Sequence, residues 1–415
     1  MKTPFFSRHF MAAAILASML GLSACGNDSS DDYVYQPDTY LNQTPFKNND
    51  GPFKVSNAQS IDVMSYKMPD VTGNTVKATA MVMTPKTPQP KDGWRVVVWA
   101  HGTVGVGDSC APSKNDFTND RFSAMADELL KAGYMIVAPD YEGLGTPGIH
   151  PYLNLSSASK SAIYAVKAVN ERYRNNVQGD WMSVGQSQGG HAVLGIAEYA
   201  ANDPHYKGTV AGAPASSLGY IITQVAPVAL KQLVDAGQQA VAVEAYAELL
   251  AYAAYAAVGI KAYEPNFDYK NLFSQRAANV AINAEGTTGD NGVCLTEMHD
   301  KFADDIRAYL RDNPTQNLLS YPGLDNDKFS KDATVQAFLK NTQPATKKLN
   351  TPTLIIQGQA DMAVPYQVTQ ALQQNLKDKG SDVTFELVQG ASHTQAIVNK
   401  RPELVAFIKK YMPAQ

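Results

Sequence analysis

Gly185-Gln-Ser187-Gln-Gly189 sets a serine between two glycines, with an apolar run (Trp181 to Val184) before it and a helical pattern (Gly190 to Ala201) after it. A serine hydroxyl is a weak nucleophile until a sharp strand-to-helix turn exposes it beside a general base. The glycines let that turn close and let the helix pack against the strand, so Ser187 is the expected nucleophile. The competing reading is an ordinary serine in a glycine-rich turn.

Such a nucleophile needs a base to take its proton and an acid to orient the base. His393 meets the first need, in Gly390-Ala-Ser-His393-Thr, directly after the last strong strand pattern. His101, His150, His191 and His205 lie before the serine or too close to it, and His299 falls in a helical region; these are read as structural. Thr353-Leu-Ile-Ile-Gln-Gly-Gln-Ala-Asp361 supplies a strand, a turn and a carboxylate, and Val364-Pro365 opens the next helix. Asp361 is therefore the expected acid, with Asp300 and Asp304 as weaker competitors and an exposed turn aspartate as the alternative. The interval from Asp361 to His393 has room for one helix and one strand.

Charge that develops on a carbonyl oxygen during attack needs preorganised donors. One should be the backbone N–H of Gln188, after the nucleophile. The other should come from Ala100-His-Gly-Thr103, which ends an early strand, with the Thr103 amide favoured and Gly102 next to it.

These residues need a scaffold. Ser60 to Tyr66 and Val76 to Met83 alternate apolar and polar residues around turn residues at Asp70 to Asn74, an antiparallel hairpin. Arg95 to Ala100, Tyr134 to Ala138, Trp181 to Gly185, Thr353 to Gln357 and Val383 to Val388 are short, nearly continuous apolar runs, as in parallel strands buried on both faces. Helical spacing between them, in Phe122 to Leu130, Ser159 to Tyr173, Gln188 to Ala201 and Tyr366 to Lys379, predicts right-handed βαβ units and an α/β, mostly parallel, doubly wound sheet. Residues 217–350 break this alternation and are rich in helix formers, so they are read as a helical cap inserted into a core of residues 51–216 and 351–415. Leu249 to Ile260 is only twelve residues and follows Glu244 and Glu248, too short for a membrane span.

Other chemistries fit poorly. Gly102-Thr-Val-Gly-Val-Gly107-Asp108-Ser approaches a phosphate-binding loop, but Asp108 stands where a lysine is needed. Gly105-Val-Gly107 lacks the third glycine of a dinucleotide fingerprint, Cys110 standing there. No H-E-x-x-H or cysteine cluster occurs, so no catalytic metal or other cofactor is implied. The net charge of −4, without long charged runs, gives no reason to expect a nucleic-acid partner.

Lys2 and Arg8 precede an apolar stretch from Phe10 to Leu22 that reads as a secretory signal over residues 1–24. It ends in Leu22-Ser-Ala-Cys25, which resembles the lipobox of bacterial lipoproteins and marks Cys25 for lipidation. The expectation is a mature chain on the cell envelope, with Gly26 after the cysteine favouring the outer membrane; an ordinary signal peptide is the alternative. Cleavage takes the net charge from −4 to −6. The polar segment after it, residues 25–50, reads as a tether. Cys110 and Cys294 then remain, and an oxidising envelope favours their pairing over two separate thiols.

The chain resembles the secretory-lipase family of α/β-hydrolases, which includes the fungal lipase A enzymes and bacterial relatives. Ala100-His-Gly-Thr103, Ala138-Pro-Asp-Tyr-Glu-Gly-Leu-Gly-Thr-Pro-Gly148, Gly185-Gln-Ser-Gln-Gly-Gly190, Gln357-Gly-Gln-Ala-Asp361 and Ser392-His-Thr394 carry the resemblance. It implies a Ser187–Asp361–His393 triad, a cap bordering the acyl site, and support for a Cys110–Cys294 bridge. The carboxylates of Asp140-Tyr-Glu142-Gly are expected to close a loop by hydrogen bonds. The expected activity is hydrolysis of acyl esters or lipids through an acyl-enzyme. A serine peptidase or amidase is the alternative within enzymes, and a non-catalytic envelope binding protein the alternative outside them.

Overall fold

The computed structural model describes residues 39–47, 55–115, 121–287 and 289–414. Cys25 and the signal segment lie outside them. A nine-stranded sheet runs through the described chain: β1 (Tyr40–Pro45), β2 (Ala58–Pro69), β3 (Thr75–Pro85), β4 (Trp94–Ala100), β5 (Met135–Pro139), β6 (Val177–Gln186), β7 (Tyr206–Gly212), β8 (Thr353–Gly358) and β9 (Val383–Val388). Their spatial order is β1-β2-β3-β5-β4-β6-β7-β8-β9. The pairs from β1 to β5 through β2 and β3 are antiparallel, and every pair from β5 through β4 to β9 is parallel.

Alternation in the central strands produces two buried layers, because successive side chains of a strand point to opposite faces. Val96 and Val98 of β4 join one apolar cluster, with Ala162 and Val169 of α2 (Leu155–Tyr173) and Val193 and Ile196 of α3 (Gln188–Tyr199). Val97 and Trp99 join the other, with Met125 and Leu129 of α1 (Ser123–Lys131) and with Leu404 and Ile408 near the C-terminus. Helices on both faces thus account for the nearly unbroken apolar runs in these strands.

Two strands depart from expectation. Tyr40–Pro45, inside the stretch read as a tether, pairs antiparallel with β2; a short, polar strand satisfies the backbone groups that β2 would otherwise leave open at the sheet edge. β7 was not anticipated either, because Gly208 and Gly212 interrupt its apolar pattern. The structure needs them: a Cβ on Gly208 would meet Pro352 O at 2.8 Å, and one on Gly212 would meet Ile397 Cδ1 at 2.9 Å.

Between β7 and β8 the chain forms helices, including α4 (Ala226–Asp235), α5 (Gln239–Ile260), α6 (Leu295–Asp312) and α7 (Ala333–Asn341). They surround a third apolar cluster that includes Leu250, Ala254, Phe302 and Phe338. α5 is longer than its apolar C-terminal half suggested, 22 residues, and passes for a membrane span by length and composition; half of that window is buried inside this insertion. Its apolarity is spent on the insertion's own core.

Chain order reverses beside β4: β5 lies on one side of it and β6 on the other. The crevice outside the strand ends at such a switch point is where doubly wound sheets bind ligands. The loop after β4 and the turn after β6 both open there.

Candidate active site

Ser187 occupies the turn between β6 and α3 with φ +62° and ψ −119°, a region that side chains with a Cβ rarely enter. The glycines around it are required by close approach. A Cβ on Gly189 would come within 1.9 Å of Ala100 O, and one on Gly185 within 2.3 Å of Gly189 O. The turn is held by Ser187 N donating to Gly212 O (2.9 Å), and Ser187 O accepts from His191 N (2.9 Å).

Asp361 follows β8, its side chain fully shielded from solvent. Its Oδ1 accepts from the amides of Ala363 (2.9 Å) and Val364 (2.8 Å). Its Oδ2 accepts from Gln357 Nε2 (2.9 Å) and faces His393 Nδ1 at 2.7 Å. A carboxylate accepts only, so His393 carries its proton on Nδ1 and leaves Nε2 as an acceptor. Among the described residues Nε2 is buried without a hydrogen-bond partner. Gln186, directly before the serine, donates from Nε2 to His393 O (3.1 Å), which joins the histidine loop to the elbow. Ser187 shares a cavity wall with Ala363 and Val364. Asp361 and His393 are therefore paired, and the loop that carries His393 is tied to the turn that carries Ser187.

The other described histidines are engaged elsewhere. His101 bonds Gly102 O and Asp140 O, and His191 bonds Thr342 O. His150 contacts Glu142 O through Nδ1 and accepts from Gln188 Nε2 (3.0 Å) through Nε2; burial pushes its pKa down to about 3, so it stays neutral. His205 pairs with Asp180 and His299 with Asp300 and Glu244, both toward solvent. Asp300 and Asp304 are exposed, the former beside His299 and the latter beside Arg307.

Gln188 opens α3, and the loop after β4 lies across its first turn, as the Gly189 contacts with Ala100 and His101 show. Among the described residues, neither the Gln188 nor the Thr103 amide donates to a loop carbonyl or a side chain. Thr103 Oγ1 is anchored to Tyr152 OH at 2.7 Å. Cys110 and Cys294 form a disulfide with a Cα–Cα distance of 5.4 Å. Leu295 N donates to Val104 O (2.9 Å) beside it, so the β4 loop is fastened to the start of α6.

Asp140 and Glu142 serve the loops around the site. Asp140 is fully buried and accepts from Thr79 Oγ1 (2.7 Å) and Ser113 N (2.8 Å); burial pushes its pKa up to about 6. Glu142 accepts from Val71 N (3.0 Å) and Ser157 Oγ.

The cavity at Ser187 is bounded by the insertion through residues such as Ile221, Leu249, Phe329 and Phe338. Among the described residues no charged side chain lines it. Its two tyrosine hydroxyls are already bonded, Tyr152 to Thr103 and Tyr252 to Glu248. Gln357, Gln186 and Arg121 are the neighbours that sequence reasoning missed. Gln357 is the penultimate residue of β8, but which way its amide points depends on Thr369 Oγ1 donating to its Oε1 (2.7 Å).

The model of the prolyl oligopeptidase family matches residues 312–415, a stretch that contains Asp361 and His393 but not Ser187. No curated protein matches the chain. A putative hydrolase from Legionella pneumophila superposes with a TM-score of 0.63 at 17% identity, over 90% of this chain and 98% of its own. The rice cell wall degrading esterase LipA from Xanthomonas oryzae gives 0.63 at 16%, over 91% and 99%. Lipase A from Candida antarctica, in its closed state, gives 0.64 at 16%, over 91% and 82%. At such identities the likeness speaks for architecture, and the architecture of this chain is the α/β-hydrolase fold.

Proposed function

We propose that the protein is a serine hydrolase that cleaves carboxylic esters through an acyl-enzyme on Ser187. The observation that carries this reading is the Asp361–His393 pair: its geometry puts the proton on Nδ1 and leaves a buried, unpartnered Nε2 on a loop bonded to the elbow. His393 Nε2 takes the Ser187 proton as Oγ attacks the ester carbonyl, and the Gln188 and Thr103 amides receive the developing oxyanion. The collapsing intermediate expels the alcohol, which takes the proton from His393. Water, activated by the same histidine, then releases the carboxylic acid and restores Ser187.

The apolar, uncharged cavity favours an acyl chain as the group bound beside the serine. The esterase and lipase neighbours agree with that choice, whereas the prolyl oligopeptidase match favours a peptidase or amidase. A fluorophosphonate probe should label the wild type and spare Ser187→Ala; equal labelling of both overturns the nucleophile. Turnover of p-nitrophenyl acyl esters against aminoacyl anilides separates the two readings, and faster anilide cleavage would replace the ester by the amide. We further propose that Cys25 is lipidated and holds the enzyme on the cell envelope, which mass spectrometry of the mature N-terminus tests.

A further inference from the structure

His393 sits in a turn between β9 and the short helix Gln395–Asn399, not on a strand of the sheet. Its ring is oriented by Asp361, but the placement of its main chain against the elbow depends on Gln186. Gln186 is fully buried, and its amide spans two partners: Nε2 donates to His393 O (3.1 Å), and Oε1 accepts from Arg121 Nη1 (2.8 Å).

The two ends of a primary amide have nearly the same shape and opposite hydrogen-bonding character. Turned over, Gln186 would set its oxygen against the His393 carbonyl. Arg121 forbids this, because a guanidinium can only donate. Gly102 closes over the same bond: a Cβ there would lie 3.4 Å from Gln186 Oε1 and 3.6 Å from Arg121 Nη1. One amide thus joins the elbow to the histidine loop, with Gly102 of the Thr103 loop packed close to it.

Arg121 is costly where it stands. Burial lowers its pKa from the ordinary value, and among the described residues its side chain makes no ion pair and only the bond to Gln186. A part-buried cation without a carboxylate adds little to a fold, so an apolar replacement should not lower stability.

We propose that Gln186 and Arg121 are positioning residues: Gln186 holds the His393 loop against Ser187, and Arg121 acts through Gln186 by fixing which end of the amide meets the His393 carbonyl. This rests on the hydrolase reading above.

The test compares p-nitrophenyl butyrate kinetics, fluorophosphonate labelling and thermal melting of the wild type with Arg121→Met, Arg121→Lys and Gln186→Glu. Arg121→Met should lower kcat about tenfold with KM within about twofold and melting unchanged or raised. Arg121→Lys, still donor-only, should recover most of that loss. Gln186→Glu keeps a partner for Arg121 but has no N–H for His393 O. It should lower kcat about 10- to 100-fold, and its added negative charge should move the acid limb of the kcat/KM profile to higher pH. A reactive wild type whose variants keep kcat within about twofold, or lose kcat only in step with melting temperature and equally for Met and Lys, overturns the positioning role alone. A wild type that neither turns over esters nor reacts with the probe overturns the hydrolase reading and this role with it.

Discussion

His393 Nδ1 lies 2.7 Å from Asp361 Oδ2 while two backbone amides hold Asp361 Oδ1. The carboxylate therefore cannot turn, and the oxygen it presents to the ring is decided by the backbone. In Asp361→Asn the amides of Ala363 and Val364 still claim the side-chain oxygen, so the new NH2 group faces both His393 Nδ1 and Gln357 Nε2. Donor then opposes donor, and the ring is driven to the wrong tautomer. The expected result is a loss of kcat of about 10³- to 10⁴-fold with KM little changed, read by steady-state ester hydrolysis.

The backbone of Ser187 stores strain that a side chain cannot relieve. Ser187→Ala keeps the Cβ and should leave stability close to the wild type. Ser187→Gly accepts the positive φ without penalty and should raise stability by about 1 kcal/mol. Both should be inactive; chemical denaturation midpoints distinguish them.

Acyl length should depend on the wall between two cavities. Ile222, Leu249, Ala253 and Leu324 line both the cavity at Ser187 and a second one of about 290 Å³ under α4. Ala253→Phe fills the junction and should spare butyryl esters while slowing lauroyl esters at least about tenfold. Rates across a p-nitrophenyl ester series check this.

Asp140 gives a pH dependence of stability with a definite sign. Its pKa rises from 3.8 unfolded to about 6 folded, chiefly through burial. Between those values the folded chain holds a proton that the unfolded chain has released, so stability falls as pH rises through that window and the full cost is present above it. A rise of that size corresponds to about 3 kcal/mol. Asp140→Asn keeps an acceptor for Ser113 N and can donate to Thr79 Oγ1 without the charge. Its melting temperature relative to the wild type should therefore increase from pH 4 to pH 7.

The Cys110–Cys294 bond closes a loop with a sequence separation of 184. In the chain-entropy model this is worth about 5 kcal/mol, so Cys110→Ser/Cys294→Ser should melt about 5–10 °C lower. Because the bond also fastens the loop that carries Thr103, ester turnover should fall in the double variant below its melting temperature. Differential scanning calorimetry and kinetics at a common temperature test the two effects.

Much of this protein could be read along the chain because the signals are local. Gly185 and Gly189 flank the serine they expose, and the apolar runs of β4, β5, β6 and β8 reflect burial on both faces of the sheet, while β9 is an edge strand left partly exposed. β7 was lost to its glycines, which answer to Pro352 and Ile397 rather than to neighbours in sequence. β1 was lost because it is a short polar strand whose reason for existing is the open edge of β2.

By itself the sequence determined the nucleophile turn, the alternation of strands and helices, and the pool of residues from which a base and an acid could be drawn, since each depends on residue type and short spacing. Only the tertiary structure decided how these combine. It set His393 and Asp361 2.7 Å apart and engaged the other described histidines elsewhere. It also aimed the amides of Gln186 and Gln357. Side-chain orientation follows from partners far along the chain, such as Gln186 and His393 at a separation of 207, and hydrogen-bond direction is settled only when donor and acceptor meet.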